Sequence, residues 1–384
     1  MIVGAGVVVL ADGVHRPGWV ETTDGTIVAC GGGVPPRPAD VEFPDAVIVP
    51  GFVDMHVHGG GGASYTDGIA DDITRAANFH LGHGTTTTVA SLVTLPPDRL
   101  LRTIEIIKDH VGTGTLAGVH LEGPWLSSAR CGAHDAAQLR APAQAEIDAV
   151  CKVADGTVRM VTLAPELAGG LDAVRRLADA GVVVAVGHTE ATYDQTIAAL
   201  DAGATVGTHV FNAMRPLHHR EPGPALALLQ DPRATVELVA DGVHVHSALI
   251  DFVMNTVGAE RVSLITDAMA AAGMPDGSYR LGALHVDVRD HVARVRGTST
   301  VAGSTATMDQ LFRTAVNRHG GMASDEALRT ASIMTSATPA AALGFDTVGS
   351  IRPGNRADLV VLDDAGTIID VMSAGRWRAE AAVG

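Results

Sequence analysis

An eightfold alternation beginning at Val47 constrains this chain more than anything else: short β-branched runs recur between Ala-, Leu- and Arg-rich segments of helical length. The runs are VIVPGFVDMHVH (47–58), TTTVASLV (86–93), LAGVHLE (116–122), VRMVTLA (158–164), VVVAVGH (182–188), TVGTHV (205–210), VELVA (236–240) and VSLITD (262–267). Helical segments fall between them, for example at 71–82, 97–110, 169–180 and 192–203. Repeated βα units predict a parallel sheet. Eight in succession predict an α/β fold of the (β/α)8 TIM-like barrel type, whose catalytic groups sit at the C-terminal ends of its strands.

The flanks break the pattern. Residues 1–46 and 347–384 read as short strands separated by turns such as ADG, TDG, PGN and DDAG. Both chain ends are expected to form one small β-sandwich domain beside a barrel at 47–346, because domain termini commonly lie close together. Within 273–300, the alternation in YRLGALHVDV followed by HVARV predicts a hairpin inserted before a helix that starts near Ser304.

Composition removes several functions. A chain of 384 residues, 46% hydrophobic and 18% charged, can bury a large core. Its net charge is −16 and no stripe of Lys or Arg offsets it, which argues against a nucleic-acid partner. The opening MIVGAGVVVLADG has no cationic start and is interrupted by Asp12, so a strand and turn are expected there rather than a signal peptide. No run reaches the roughly 18 apolar residues that suggest a membrane span. Cys30, Cys131 and Cys151 are odd in number and unpaired in spacing, which argues against disulfides or a thiolate zinc site and for a cytoplasmic protein. An acidic protein that binds an anion must place specific cations against its own field, so single arginines merit tracking.

Metal-capable side chains fall at the ends of five predicted strands: His56 and His58, Glu122, His188, His209 and Asp267. Residues two apart on a strand face the same way, so His56 and His58 can converge on one ion. Each histidine alone, in a chain with 17, has an equally ordinary structural reading. Glu122 ends an apolar run, where a carboxylate must be paired, bound to a cation or used in a turn. Together, Glu122, His188 and His209 make the open nitrogen and oxygen ligand set of a catalytic divalent ion. Beside such a cation Asp267 stays ionised and can move a proton; its alternative is a turn or capping role.

The combination VDMHVHGG, HLEGPW, AVGHT, THVFNAM, ADGVH, LITDAM and VAGS, in this order, resembles the N-acetylglucosamine-6-phosphate deacetylases of the amidohydrolase superfamily. The likeness covers almost the whole chain. GSIRPGNRADLVVLD marks only the superfamily, whereas HLEGPW with THVFNAM is specific to the deacetylases. The resemblance implies a primary metal site at Glu122, His188 and His209, with Asp267 as general acid/base. Some members lack the two histidines of the first strand and bind one ion. Retention of His56 and His58 suggests a second. Lys108 and Lys152 are the only lysines and neither ends a barrel strand, so Glu122 rather than a carboxylated lysine is expected to bridge.

The resemblance further assigns the sugar phosphate to Asn212, Ala213 and Arg220, with Arg220 reaching a neighbouring subunit of a homodimer. It implies contacts from Ala133 and His134, from His244, and from Val301, Ala302 and Gly303. His244 has either the acetyl carbonyl or a sugar hydroxyl as its partner, and the loop around Cys131 could cover the site. The expected reaction is attack of a metal-activated hydroxide on the acetamido carbonyl of N-acetyl-D-glucosamine-6-phosphate, in amino-sugar catabolism and cell-wall recycling. The expected cofactor is one or two divalent ions, zinc foremost, with iron, manganese or cobalt as alternatives. Rival readings are the same chemistry on N-acetylgalactosamine-6-phosphate, a cyclic-amide hydrolase or dipeptidase on the same barrel, and a metal-free scaffold.

Overall fold

The computed structural model describes residues 1–378, so residues 379–384 of the expected terminal segment lie outside the described residues. Eight parallel strands follow one another in chain order in a single sheet: Phe52–Val57, Thr85–Leu92, Gly118–Glu122, Val158–Leu163, Val183–Val186, Val206–Gly207, Thr235–Leu238 and Val262–Leu264. The first and eighth are joined just past their ends, where the Asp267 N–H donates to the His56 carbonyl at 2.9 Å and the His58 N–H to that of Ala268 at 2.8 Å. The sheet is thus a nearly closed barrel with one strand for each apolar run. Every residue of Phe52–Val57 and Gly118–Glu122 is buried, as parallel strands covered on both faces require.

The connecting helices include Ala70–Gly82, Pro97–Gly112, Gln144–Ala154, Gly170–Asp179, Tyr193–Asp201, Gly223–Gln230 and Ser247–Val257. Local chemistry sets their ends. Thr192 and Gln195 form a reciprocal capping box at the start of Tyr193–Asp201, satisfying donors that the first turn leaves free. Gly170–Asp179 buries Ala173, Val174 and Leu177 on one stripe and leaves Asp172 and Arg175 in solvent.

The chain divides into two compact units. One comprises Met55–Phe79 and Thr88–Ala306, and holds the strand ends that matter for chemistry. It also holds the insertion, which is a three-stranded antiparallel sheet of Gly277–Leu281, Leu284–Arg289 and Val292–Val295, one strand more than the expected hairpin. Its inner face packs Leu281, Val286, Val288 and Ala293 against Met269 and Ala302.

The other unit comprises Met1–Asp54, His80–Thr87 and the chain from Thr307. Its second eight-stranded sheet draws on both ends of the chain: Val41–Pro50 lies between Ile2–Leu10 and Leu359–Leu362. Val3, Val20, Ile27, Ile48, Leu359 and Met372 share one apolar core, as a β-sandwich built from both ends requires.

In this unit Thr307 caps the helix Met308–Arg318, and Asp309 is buried at its first turn. Burial raises the Asp309 pKa, but hydrogen bonds from His83 at 3.1 Å, Thr307 at 2.6 Å and Arg313 at 2.8 Å outweigh it and hold the carboxyl at about 2. A folded-state pKa below the unfolded value contributes stability that is complete above about pH 4 and lost as pH falls toward 2. Asp309→Ala is therefore expected to cost about 1–3 kcal/mol at neutral pH. Urea melts across pH should show the gap to the native protein narrowing in acid.

Candidate metal centre

Six side chains from five strand ends meet at the floor of one cavity. Glu122, at the end of the third strand, is their hub: its Oε1 lies 3.1 Å from His188 Nε2, 3.0 Å from His209 Nε2 and 3.5 Å from His56 Nε2. Its Oε2 lies 3.3 Å from His58 Nε2 and 3.1 Å from His134 Nε2. Asp267 completes the group with Oδ1 at 3.2 Å from His58 Nε2 and 3.6 Å from His56 Nε2. The set His56, His58 and Glu122 offers one ligand atom per residue within 4.8 Å of one another. A second such set, Glu122, His134 and His188, shares the same carboxylate.

Hydrogen bonds outside the cluster aim these rings. His56 Nδ1 lies 2.9 Å from Glu237 Oε2, His58 Nδ1 3.3 Å from the Ser91 carbonyl, and His188 Nδ1 2.8 Å from the Arg130 carbonyl. Each acceptor fixes the proton on Nδ1 and turns an Nε2 lone pair inward. Yet His188 and His209 face each other Nε2 to Nε2 at 3.1 Å, and His56 and His58 do so at 3.2 Å. Two such nitrogens satisfy each other only if one of them carries a further proton. A cation between them and the two carboxylates supplies the missing partner, so the donor set fits a divalent ion of the kind bound by imidazole and carboxylate.

His134 differs. Its Nδ1 accepts from the Thr94 N–H at 3.2 Å, so its proton sits on Nε2 and is donated to Glu122. Burial, outweighing the attraction of Glu122, lowers its pKa to about 4, and the ring is neutral. For Asp267, burial opposes ionisation, but the hydrogen bond to His58 and the charge of His56 hold the carboxyl at about 2.

Backbone geometry at the rim is unusual for residues with side chains. His188, His209, Ala213 and Asp267 all have positive φ, at 47°, 26°, 49° and 49°. Left-handed backbone at non-glycine positions costs roughly 1–3 kcal/mol and clusters where geometry serves function. Each kink turns the chain as it leaves the barrel.

The cavity above the cluster has a volume of about 360 Å³. Ala133, His134, Asn212, Ala213, His244, Val301 and Gly303, all expected from the sequence, line it. Ala302 is fully buried outside the lining, and His56 lies beneath it. Arg220 does not line the cavity; it is exposed, with its guanidinium 2.7 Å from His219 Nε2. His244 is held by Asp241, whose Oδ2 is 2.7 Å from Nδ1, and points Nε2 toward Asp267 Oδ2 at 3.7 Å.

Sequence reasoning passed over several contributors. Glu237, Asp241 and Arg130 were unremarked, although a glutamate inside the apolar run VELVA is a signal that could have found the first. Arg130 lines the cavity and pairs with Glu190. Leu281 enters from the inserted sheet, a contact that no local pattern encodes.

If Glu122 bridges two ions, Glu122→Ala should lose both, while His58→Ala should keep one. Metal content of the purified variants by elemental mass spectrometry checks this.

The chain is similar to known proteins along most of its length. Residues 47–378 match the amidohydrolase family. The chain is similar to a variant of N-acetyl-D-glucosamine-6-phosphate deacetylase from Mycobacterium smegmatis, solved in complex with N-acetyl-D-glucosamine-6-phosphate, with 53% identity, a TM-score of 0.96 and 98% of each chain covered. It is similar to N-acetylglucosamine-6-phosphate deacetylase from Thermotoga maritima at 31% identity and a TM-score of 0.89, covering 98% of this chain and 99% of that one. It is also 39% identical over 357 residues to N-acetylgalactosamine-6-phosphate deacetylase from Escherichia coli O157:H7, covering 90% of this chain and 92% of the relative. With a barrel of eight strands, a carboxylate and imidazole cluster at its mouth and a family match across most of its length, the chain belongs to the amidohydrolase family.

Proposed function

We propose that this protein removes the acetyl group from N-acetyl-D-glucosamine-6-phosphate, releasing acetate and D-glucosamine-6-phosphate. One observation carries the reading: two carboxylates and four imidazoles converge beneath a cavity of about 360 Å³ that a single sugar phosphate can fill. The 53% identical relative was solved with that sugar phosphate bound.

Glu122, His188 and His209 would hold a primary divalent ion, and His56 and His58 a second that shares Glu122. Zinc is the first candidate, with iron, manganese and cobalt alternatives for the same donors. The ion, when bound, supplies Lewis-acid polarisation and a water acidic enough to react at neutral pH. Asp267, ionised at the lip of the cluster, takes a proton from the attacking water. As the water oxygen bonds to the acetyl carbon and the C–N bond breaks, it returns that proton to the departing nitrogen. His244, fixed by Asp241, presents Nε2 to the acetyl carbonyl or a sugar hydroxyl. Gly132, Ala133 and His134, with Val301 and Gly303, would enclose the sugar.

Asn212 and Ala213 line the cavity and would take the 6-phosphate. Arg220, exposed on the same loop, would complete the anion site, across a homodimer interface in a cytoplasmic enzyme. A guanidinium fork suits a phosphate. In this reading the barrel at 47–346 does the chemistry, while 1–46 and 347–384 form the supporting β domain.

Asp267→Asn should lower turnover roughly 10²–10⁴-fold with metal content unchanged. Undiminished acetate release by that variant would remove Asp267 from the reaction. Arg220→Ala should raise KM for the phosphorylated sugar far more than for its unphosphorylated counterpart. Side-by-side kinetics on the gluco and galacto epimers tests the substrate, with the gluco form expected to have the higher kcat/KM.

A further inference from the structure

A glutamate with no place in the mechanism above lies at the centre of the barrel. Glu237, on the strand Thr235–Leu238, is fully buried, and its Oε1 has no hydrogen-bond partner. Its Oε2 accepts twice: from the His56 ring at Nδ1, 2.9 Å away, and from the backbone N–H of His209, 3.2 Å away. An isolated buried carboxylate is unfavourable unless something compensates its charge. Two donors on one of its oxygens compensate it only in part.

The two partners sit on different halves of the cluster. His56 belongs with His58 and Glu122, whereas His209 faces His188 and Glu122. Glu237 touches the His56 ring, fixing its tautomer, but touches only the main chain of His209. Glu122 and Asp267 are the only carboxylates among the six converging side chains, so two divalent ions would leave this buried site with excess positive charge. A third carboxylate one imidazole away offsets that excess, and it does so through His56.

We infer that Glu237 is a positioning residue that selectively supports the ion held by His56 and His58, by orienting the His56 ring and by supplying charge through it. The inference rests on the two-ion reading of the cluster. It makes Glu237 the counterpart of the first-strand histidine pair rather than of the primary site, although it lies on the seventh strand.

The test uses the full-length protein, equilibrated with zinc at buffered free concentrations and analysed for bound metal. Glu237→Gln is the informative change: its amide oxygen can still accept from the His209 N–H, so the fold and the primary ion are retained while the negative charge is lost. The expected result is two binding steps in the native protein. In the variant, the weaker step should shift by roughly 10–100-fold while the tighter step stays in place. In a His56→Ala background, which removes the weaker step, Glu237→Gln should leave the remaining step unchanged. Native affinity for both ions in Glu237→Gln would overturn the inference, as would equal weakening of both steps, the mark of a general structural role. A native protein that binds one ion only would overturn the two-ion reading and this inference with it; two native steps with an unaffected variant would overturn this inference alone.

Discussion

Everything at the mouth of the barrel depends on one buried carboxylate. Glu122 sits on the last residue of a strand whose every side chain is buried, with imidazole nitrogens around both of its oxygens. Burial alone would protonate it, but His134 and His56 nearby hold its pKa well below the usual carboxylate range. A charged hub thus survives in an apolar barrel only because every neighbour is polar and aimed at it. Removing a partner from such a set leaves an uncompensated buried charge, which costs more than the contact itself.

That hub dictates the rest of the local architecture. Imidazoles can point inward only if their outer nitrogens are occupied, and Glu237, the Ser91 carbonyl and the Arg130 carbonyl do this for His56, His58 and His188. A layer below, His120 bonds to Ser91 and Thr162 on adjacent strands and packs its ring against His56 at a centroid distance of 4.5 Å. Burial and the nearby His56 drive its pKa well below the ordinary histidine value, so it serves as a neutral polar spacer. The left-handed backbone at His188, His209 and Asp267 belongs to the same logic: the chain must kink as it leaves each strand if the side chain is to face the axis.

Specificity is built from different material. The cluster comes from strand ends, whereas the cavity walls come from loops and from the inserted three-stranded sheet, which contributes Leu281 at one turn. This separation lets one barrel host many hydrolytic chemistries while the loops choose the substrate.

Short β-branched apolar runs separated by spacers of helical length made the eight strands legible, because both are local properties. His56, His58, Glu122, His188, His209 and Asp267 were legible for a related reason: a polar metal-capable residue at the end of an apolar run is locally conspicuous. Glu237 escaped because it lies inside its run rather than at the end, although a lone carboxylate among apolar neighbours is itself a local signal. The third strand of the insertion escaped because hairpin signals say where a chain turns, not how many times it pairs. Sequence by itself determined which side chains stand at strand ends, since that follows from backbone periodicity. Only the tertiary structure decided that they face one another within hydrogen-bonding distance, that Arg220 lies outside the cavity while Arg130 lines it, and which acceptor fixes each ring. Barrel closure and loop packing set those distances between residues far apart in the chain, and no stretch of local sequence contains them.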